Sequence, residues 1–387
     1  MSKHNVNNPH HTTLVTTRRS LNICAIAALL FSQTAFSANA QANALNQTPA
    51  STETASAKLA VSPIDAEREI SALLRQHLFD PSLLQSRAAR QHLLKQQQLA
   101  AESTDLSDFV GKFNQLWREG PWSHVQLAPR RIPAAQMANF VDNMDAGPDA
   151  VQLSWTGNIP VLTVHTMMGK DTIEHIHQAF VQLQQAGAQQ LIIDLRRNKG
   201  GAFAVKPLVG HLLNQPVEGG VFVSRRWYEK QPQHWPDTQD VTATAAWQQW
   251  NMQAFWQALI TQPLVRIRFM PEQPVFAGQV WLLTSHNTAS AAEMAVAALQ
   301  QAGRVTVIGE QTAGEMLSQT MFDLTGDLQL SLPIATYIAN QYGPIEGHGL
   351  VPDVSVPANQ ALPHALTLAA QASTDRPATK MMKGTGH

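Results

Sequence analysis

The chain has 387 residues, with 28 acidic against 27 basic side chains and a formal net charge of −1. Only 14% of residues are charged, so no nucleic-acid partner and no steering by a large electrostatic field is expected. A hydrophobic fraction of 44% is ordinary for a globular protein with a real core, and the length allows one large domain or two modest ones.

Residues 1–40 have the three parts of an export signal. Arg18 and Arg19 form a basic start, residues 21–31 an apolar stretch too short to span a bilayer comfortably, and Ala38-Asn39-Ala40 a small-residue cleavage site. A bacterial periplasmic or secreted protein is therefore expected, cleaved near Ala40 and with no membrane segment after signal removal. The single cysteine, Cys24, lies in the signal, so the mature chain would hold no disulfide. Residues 41–60, rich in Ala, Ser, Thr, Asn and Gln, read as a disordered spacer.

Residues 61–120 predict a helical N-terminal subdomain. "SPIDAEREISALLRQHLF" starts with a serine cap, a proline in the first turn and acids close behind, and Ile70, Leu73, Leu74 and Leu78 recur at helical spacing. Two more helices follow. From about Val151 the texture changes. "IPVLTVHTM" reads as a strand, "KDTIEHIHQAFVQLQQAGA" as an amphipathic helix, "QQLIIDLRRN" as a buried strand and "GGAFAVKPLVGHLLNQ" as a further helix. "GQVWLLTS", a helix from about Ser290 and "VTVIGEQT" complete the alternation, which predicts an α/β core with parallel strands. "QLSLPIATYIA" and "VPDVSV" add β-structure, and residues 371–387 read as a flexible tail. Residues 224–273 form an insertion holding five of the nine tryptophans. They predict either a packed helical hairpin or an aromatic lid over a substrate groove.

Two stretches carry candidate chemistry. In "IIDLRRNKGGAF" a strand ends at Gly200-Gly201, whose amides could face a ligand or simply turn the chain. In "TSHNTASAAE" Ser290 stands between Ala289 and Ala291 at a strand-to-helix turn. It could cap the helix or serve as a nucleophile beside free amides. A nucleophile needs a base, and His124, His165, His175, His177, His286 and His348 are all candidates that spacing alone does not separate.

The order "DLRRNKGG", "TSHNTASAAEMAVAALQQAGRVTVIGEQTAGE", "IEGHGLVPDV" resembles the C-terminal processing (tail-specific) serine protease family. The resemblance runs from about Asp65 to Val356. It implies a ClpP/crotonase-like βαβ core in residues 121–370 and a serine peptidase acting on peptides or unfolded proteins with no cofactor or metal. The family serine falls on Ser290. The lysine of one branch falls on Glu315, in "TAGEM", so a Ser-Lys dyad is absent. The branch resembling tricorn protease and interphotoreceptor retinoid-binding protein pairs serine with histidine, and "GPWSHVQL" and "IEGHG" then give Ser290, His124, Ser123 and Glu346 as the catalytic set. Gly200 or Gly201 with Ala291 would form the oxyanion hole. The short stretch from Val125 to Val151 leaves no room for a PDZ domain. On the same scaffold, a catalytically silent protein holding a peptide or apolar ligand, or an esterase, is the alternative.

Overall fold

The computed structural model describes residues 61–232 and 234–374. The expected export signal, the spacer and residues 375–387 lie outside the described residues. The tail expectation is corrected at its start, because residues 371–374 belong to the last helix, Ala358–Thr374.

A mostly parallel sheet carries the site. Its strands are β2 (Val151–Thr156), β3 (Ile159–Val164), β4 (Gln190–Asp194), β7 (Gln279–Thr284), β8 (Thr306–Gly309) and β12 (Val354–Ser355), in the order β12–β8–β7–β4–β3–β2. Only the β2–β3 pair is antiparallel. Alternate residues of each strand face opposite layers. Leu191, Ile193, Val280, Leu282 and Val307 point into the main core, where they meet α5 (Lys170–Gln185), α6 (Val205–Gly210) and α10 (Ala291–Gln301). Ile192, Trp281, Leu283 and Ile308 point the other way, under Ala361, Ala365 and Ala369 of α11 (Ala358–Thr374). Coverage on both faces explains why these strands read as unbroken apolar runs.

A second, antiparallel sheet was largely absent from the sequence reading. The 12-residue β10 (Leu328–Ala339) is its spine, flanked by β1 (Gln126–Pro129), β5 (Val217–Ser224), β9 (Leu317–Leu324) and β11 (Gly343–Pro344), with β6 (Leu264–Phe269) beyond β5. One face packs on α10 and the parallel layer through Phe222, Ile267 and Tyr337. The other face carries the N-terminal helices α1 (Pro63–His77), α2 (Arg87–Glu102) and α3 (Leu106–Arg118), through Ile70, Phe109, Phe113 and Trp117 against Leu127, Leu330 and Leu332. These helices therefore share a core with the sheet instead of standing apart from it.

Residues 224–273 contain the short helices α7 (Arg225–Tyr228), α8 (Thr238–Ala243) and α9 (Met252–Thr261), but they end in β6, which is integral to the second sheet. The stretch from Val125 to Val151 holds β1, a ten-residue helix α4 (Ala134–Asn143) and a 3₁₀ turn.

Candidate active site

Two loops at the carboxyl ends of β4 and β7 lie side by side, joined by hydrogen bonds. The Ser285 hydroxyl donates to Arg196 O (2.6 Å), the Thr288 hydroxyl to Leu195 O (2.9 Å), and Ala289 N–H to Asn198 O (3.0 Å). The residues of "DLRRN" divide this labour. Arg196 clamps Asp194 in a bidentate pair (2.9 and 2.6 Å) and donates to Ala358 O, pinning the end of β4 to α11. Asn198 is fully buried; its amide donates to Val164 O on β3 (3.0 Å) and its oxygen accepts Gly200 N–H (2.8 Å).

Ser290 heads α10 with φ 56° and ψ −124°. The residues that cap α1, α2, α3, α8 and α9 (Ser62, Ser86, Asp105, Asp237 and Asn251) all have negative φ, and each side chain accepts a backbone amide. Positive φ is unusual for a non-glycine residue and is held only where the surroundings over-determine it, as they do at functional sites. Here the surroundings are Gly200 and Glu293. A Cβ on Gly200 would lie 2.6 Å from Ser290 Cβ and 2.7 Å from Ala289 O, and Gly200 itself has φ 86°. Gly200→Ala is therefore expected to cost about 1–3 kcal/mol in stability and to displace Ser290. Thermal unfolding and serine labelling of the variant check this together.

His124 also has positive φ, at 67°. Ser331 of β10 donates its hydroxyl to His124 O (3.1 Å), which fixes the loop leading into β1. Ser123 Oγ lies 2.5 Å from His124 Nδ1 and 3.1 Å from Glu346 Oε2. Glu346 also accepts the amides of Ser123 (2.9 Å) and Met316 (2.8 Å). A carboxylate ringed by donors takes the Ser123 hydroxyl proton as a third, so the Ser123 oxygen is left to accept Nδ1–H of His124. That assigns the proton to Nδ1 and leaves Nε2 with its lone pair. Burial pushes His124 down to about 4, so the ring is neutral at pH 7. Burial also raises Glu346, against the pull of its donors.

Ser290 and His124 line one cavity of about 720 Å3 of empty space, partly open to solvent. Among the described residues no hydrogen bond joins their side chains. Gly201 and Ala291 line the same cavity, and neither amide has an acceptor among the described residues. Gly200 is different: its amide is already held by Asn198. The other candidate histidines stand elsewhere. His286 pairs with Glu310 (2.7 Å), His177 with His211 (3.3 Å), and the exposed His348 with its neighbour's carbonyl, Glu346 O (2.9 Å). Neither His165 nor His175 lines the cavity.

Residues 158–356, just over half of the chain, match the family model described as Peptidase family S41. The chain belongs to this family. Ser290 and Glu346 fall inside the matched span, and Ser123 and His124 precede it. The chain is 27% identical over 180 residues to a carboxyl-terminal-processing protease of Synechocystis, covering 46% of this chain and 34% of that protein. The match to the curated relatives thus spans about a third of their length. A solved structure of a protein from Parabacteroides merdae covers 81% of this chain and 96% of its own at 14% identity, with a TM-score of 0.53. A lipoprotein from Streptococcus agalactiae covers 81% of this chain and 98% of its own at 17% identity, with a TM-score of 0.50. These two likenesses concern the fold.

In this member of the S41 family the sequence reading passed over Glu293. It is 0% exposed, on the third residue of α10, and accepts four donors: Thr312 Oγ1 (2.6 Å), Gly314 N (2.8 Å), Ser290 N (2.9 Å) and Glu315 N (3.0 Å). Burial drives its carboxyl up to about 7, against the pull of these bonds. The signal was present, since a glutamate three residues after a serine at a helix start is a capping pattern. Here the pattern ties the serine to the loop that holds Glu315. Lys199, also overlooked, lines the cavity next to the glycine turn.

Proposed function

We propose that this S41 peptidase is a serine peptidase that works through an acyl-enzyme on Ser290, with His124 as its base. The observation that carries this reading is the shared cavity. It brings together a serine with positive φ, one neutral histidine and two amides without acceptors, from segments far apart in the chain. His124 Nε2 takes the Ser290 proton as Oγ bonds to the substrate carbonyl carbon. The carbonyl oxygen gains negative charge and is held by the amides of Gly201 and Ala291. The C–N bond then breaks, and His124 returns the proton to the leaving amine. Water repeats the sequence on the ester, with His124 again taking and returning one proton. Ser123 and Glu346 hold the ring in its Nδ1–H tautomer and stabilise the imidazolium that forms transiently. Substrate binding closes the His124–Ser290 contact, which is commonly loose in empty sites.

Peptides or unfolded chains are the substrates this site suits, captured without a PDZ domain. Residues 1–40 send the protein to the periplasm or outside the cell. A fluorophosphonate reagent is expected to label the wild-type chain and not Ser290→Ala, read by intact-protein mass. A folded wild-type protein that takes no adduct would instead favour a ligand-binding role for the cavity.

A further inference from the structure

We infer that the cavity beside Ser290 is a specificity pocket for a large apolar side chain on the residue whose carbonyl the serine attacks. This rests on the serine reading above and names its substrate class. The cavity runs from Ser290 and Ala291 to an apolar wall to which several segments contribute. Trp250, Met252 and Phe255 come from residues 224–273, Phe222 from β5, Phe203 from the turn after the glycines and Met294 from one turn further along α10. The rings brace one another edge to face: Phe203–Trp250 at 5.8 Å, Phe203–Phe255 at 5.6 Å and Phe222–Phe255 at 5.0 Å. Such edge contacts fix ring orientation, so the wall is formed before a ligand arrives. The 720 Å3 of empty space includes open solvent; the part that a water molecule's centre can occupy is about 70 Å3, room for a few waters or for one phenyl or long aliphatic side chain.

Charge narrows the choice. Among the described residues that line the cavity there is no carboxylate, and Lys199 is the charged one. A substrate lysine or arginine would lose its water, find no counter-ion and meet a like charge. Glycine or alanine would leave the aromatic wall uncovered and forgo its hydrophobic contribution. The tryptophans of residues 224–273 divide between surface and cavity. Trp235 is 48% exposed and away from the cavity, whereas Trp250 and Trp256 line it.

The test uses the full folded chain, first shown to take a Ser290-dependent fluorophosphonate adduct. Internally quenched peptides differing at a single position are then digested, and the residue before each cut is read by mass spectrometry. Phe, Leu and Met are expected to exceed Ala in kcat/KM by on the order of 100-fold, with no cuts after Lys or Arg. Trp250→Ala, half-buried and so tolerable to the fold, is expected to shrink the Phe-to-Ala ratio by about 10-fold. A labelled protein that prefers Ala, Gly, Lys or Arg overturns the pocket while leaving the serine reading intact. A folded protein without the adduct overturns the serine reading and the pocket with it. An unchanged ratio in folded Trp250→Ala overturns the assignment of the wall, and the wild-type series decides the proposal if that variant does not fold.

Discussion

His124→Ala is expected to lower kcat by on the order of 10⁶-fold, as much as Ser290→Ala, and the double variant is expected to be no slower than either. In the proposed mechanism nucleophile and base act as one unit: without a proton acceptor the Ser290 hydroxyl is a poor nucleophile whatever the amides offer. Ser123→Ala should cost less, about 10²–10⁴-fold, because it removes the group that sets the tautomer and not the base itself. The rival base is Lys199, which lines the same cavity. Residual turnover in His124→Ala that disappears in Lys199→Met would transfer the role to the lysine. The pH profile separates them as well. Burial holds His124 at about 4 against an ordinary 6.5, so the acid limb of kcat/KM should fall near pH 4. The same shift has a stability consequence. Between pH 6.5 and 4 the unfolded chain binds a proton on this ring and the folded chain does not, so its contribution is lost as pH falls through that window.

What the sequence disclosed follows the reach of the physics involved. Ile192, Trp281 and Leu283 lie on strands covered on both faces, and their apolar runs announced the parallel layer. The N-terminal helices were legible because Ile70 and Leu74, 0% and 1% exposed, repeat at helical spacing. The second sheet was hidden because its pairing is long-range. β1 meets β10 across some two hundred residues, Gln126 opposite Ser331. β5 also contains Gly219-Gly220, which interrupts any alternation. A Cβ on Gly220 would sit 2.2 Å from Ile338 O, so glycine is required by the close approach of β10 and carries no local strand signal. The site shows the same limit. A serine at a strand-to-helix turn was visible, but its positive φ was not, and His124 was selected only through resemblance. In the fold, Ser331 of β10 holds the His124 carbonyl, while Gln319 of β9 and Met316 just before that strand line the same cavity.

Glu293→Ala is expected to cost about 3–5 kcal/mol in stability, because four donors would be left buried without an acceptor, and to cut serine labelling as well. The two losses share a cause. Glu293 accepts the amides of Ser290, Gly314 and Glu315, and the next amide, Met316 N–H, goes to Glu346. One short loop thus runs from the carboxylate that holds the Ser290 amide to the carboxylate beside Ser123 and His124. The charge of Glu315 in this loop helps to raise Glu346. Glu293→Gln keeps the shape and removes the charge, so it isolates the electrostatic part. The Glu293 carboxyl sits at about 7 in the fold against an ordinary 4.5, so the folded chain holds a proton in that window that the unfolded chain has released. The stability contribution is present below pH 4.5 and lost as pH rises through 7. Wild-type minus Glu293→Gln stability should therefore fall across that range, read by denaturant unfolding at several pH values. A flat difference would mean that Glu293 is ionised throughout. A double-mutant cycle between Glu293→Gln and Glu346→Gln should show coupling of about 1 kcal/mol or more, because both carboxylates grip adjacent residues of one loop. Zero coupling would mean that the loop holds its shape without them and that Ser290 and His124 are positioned independently.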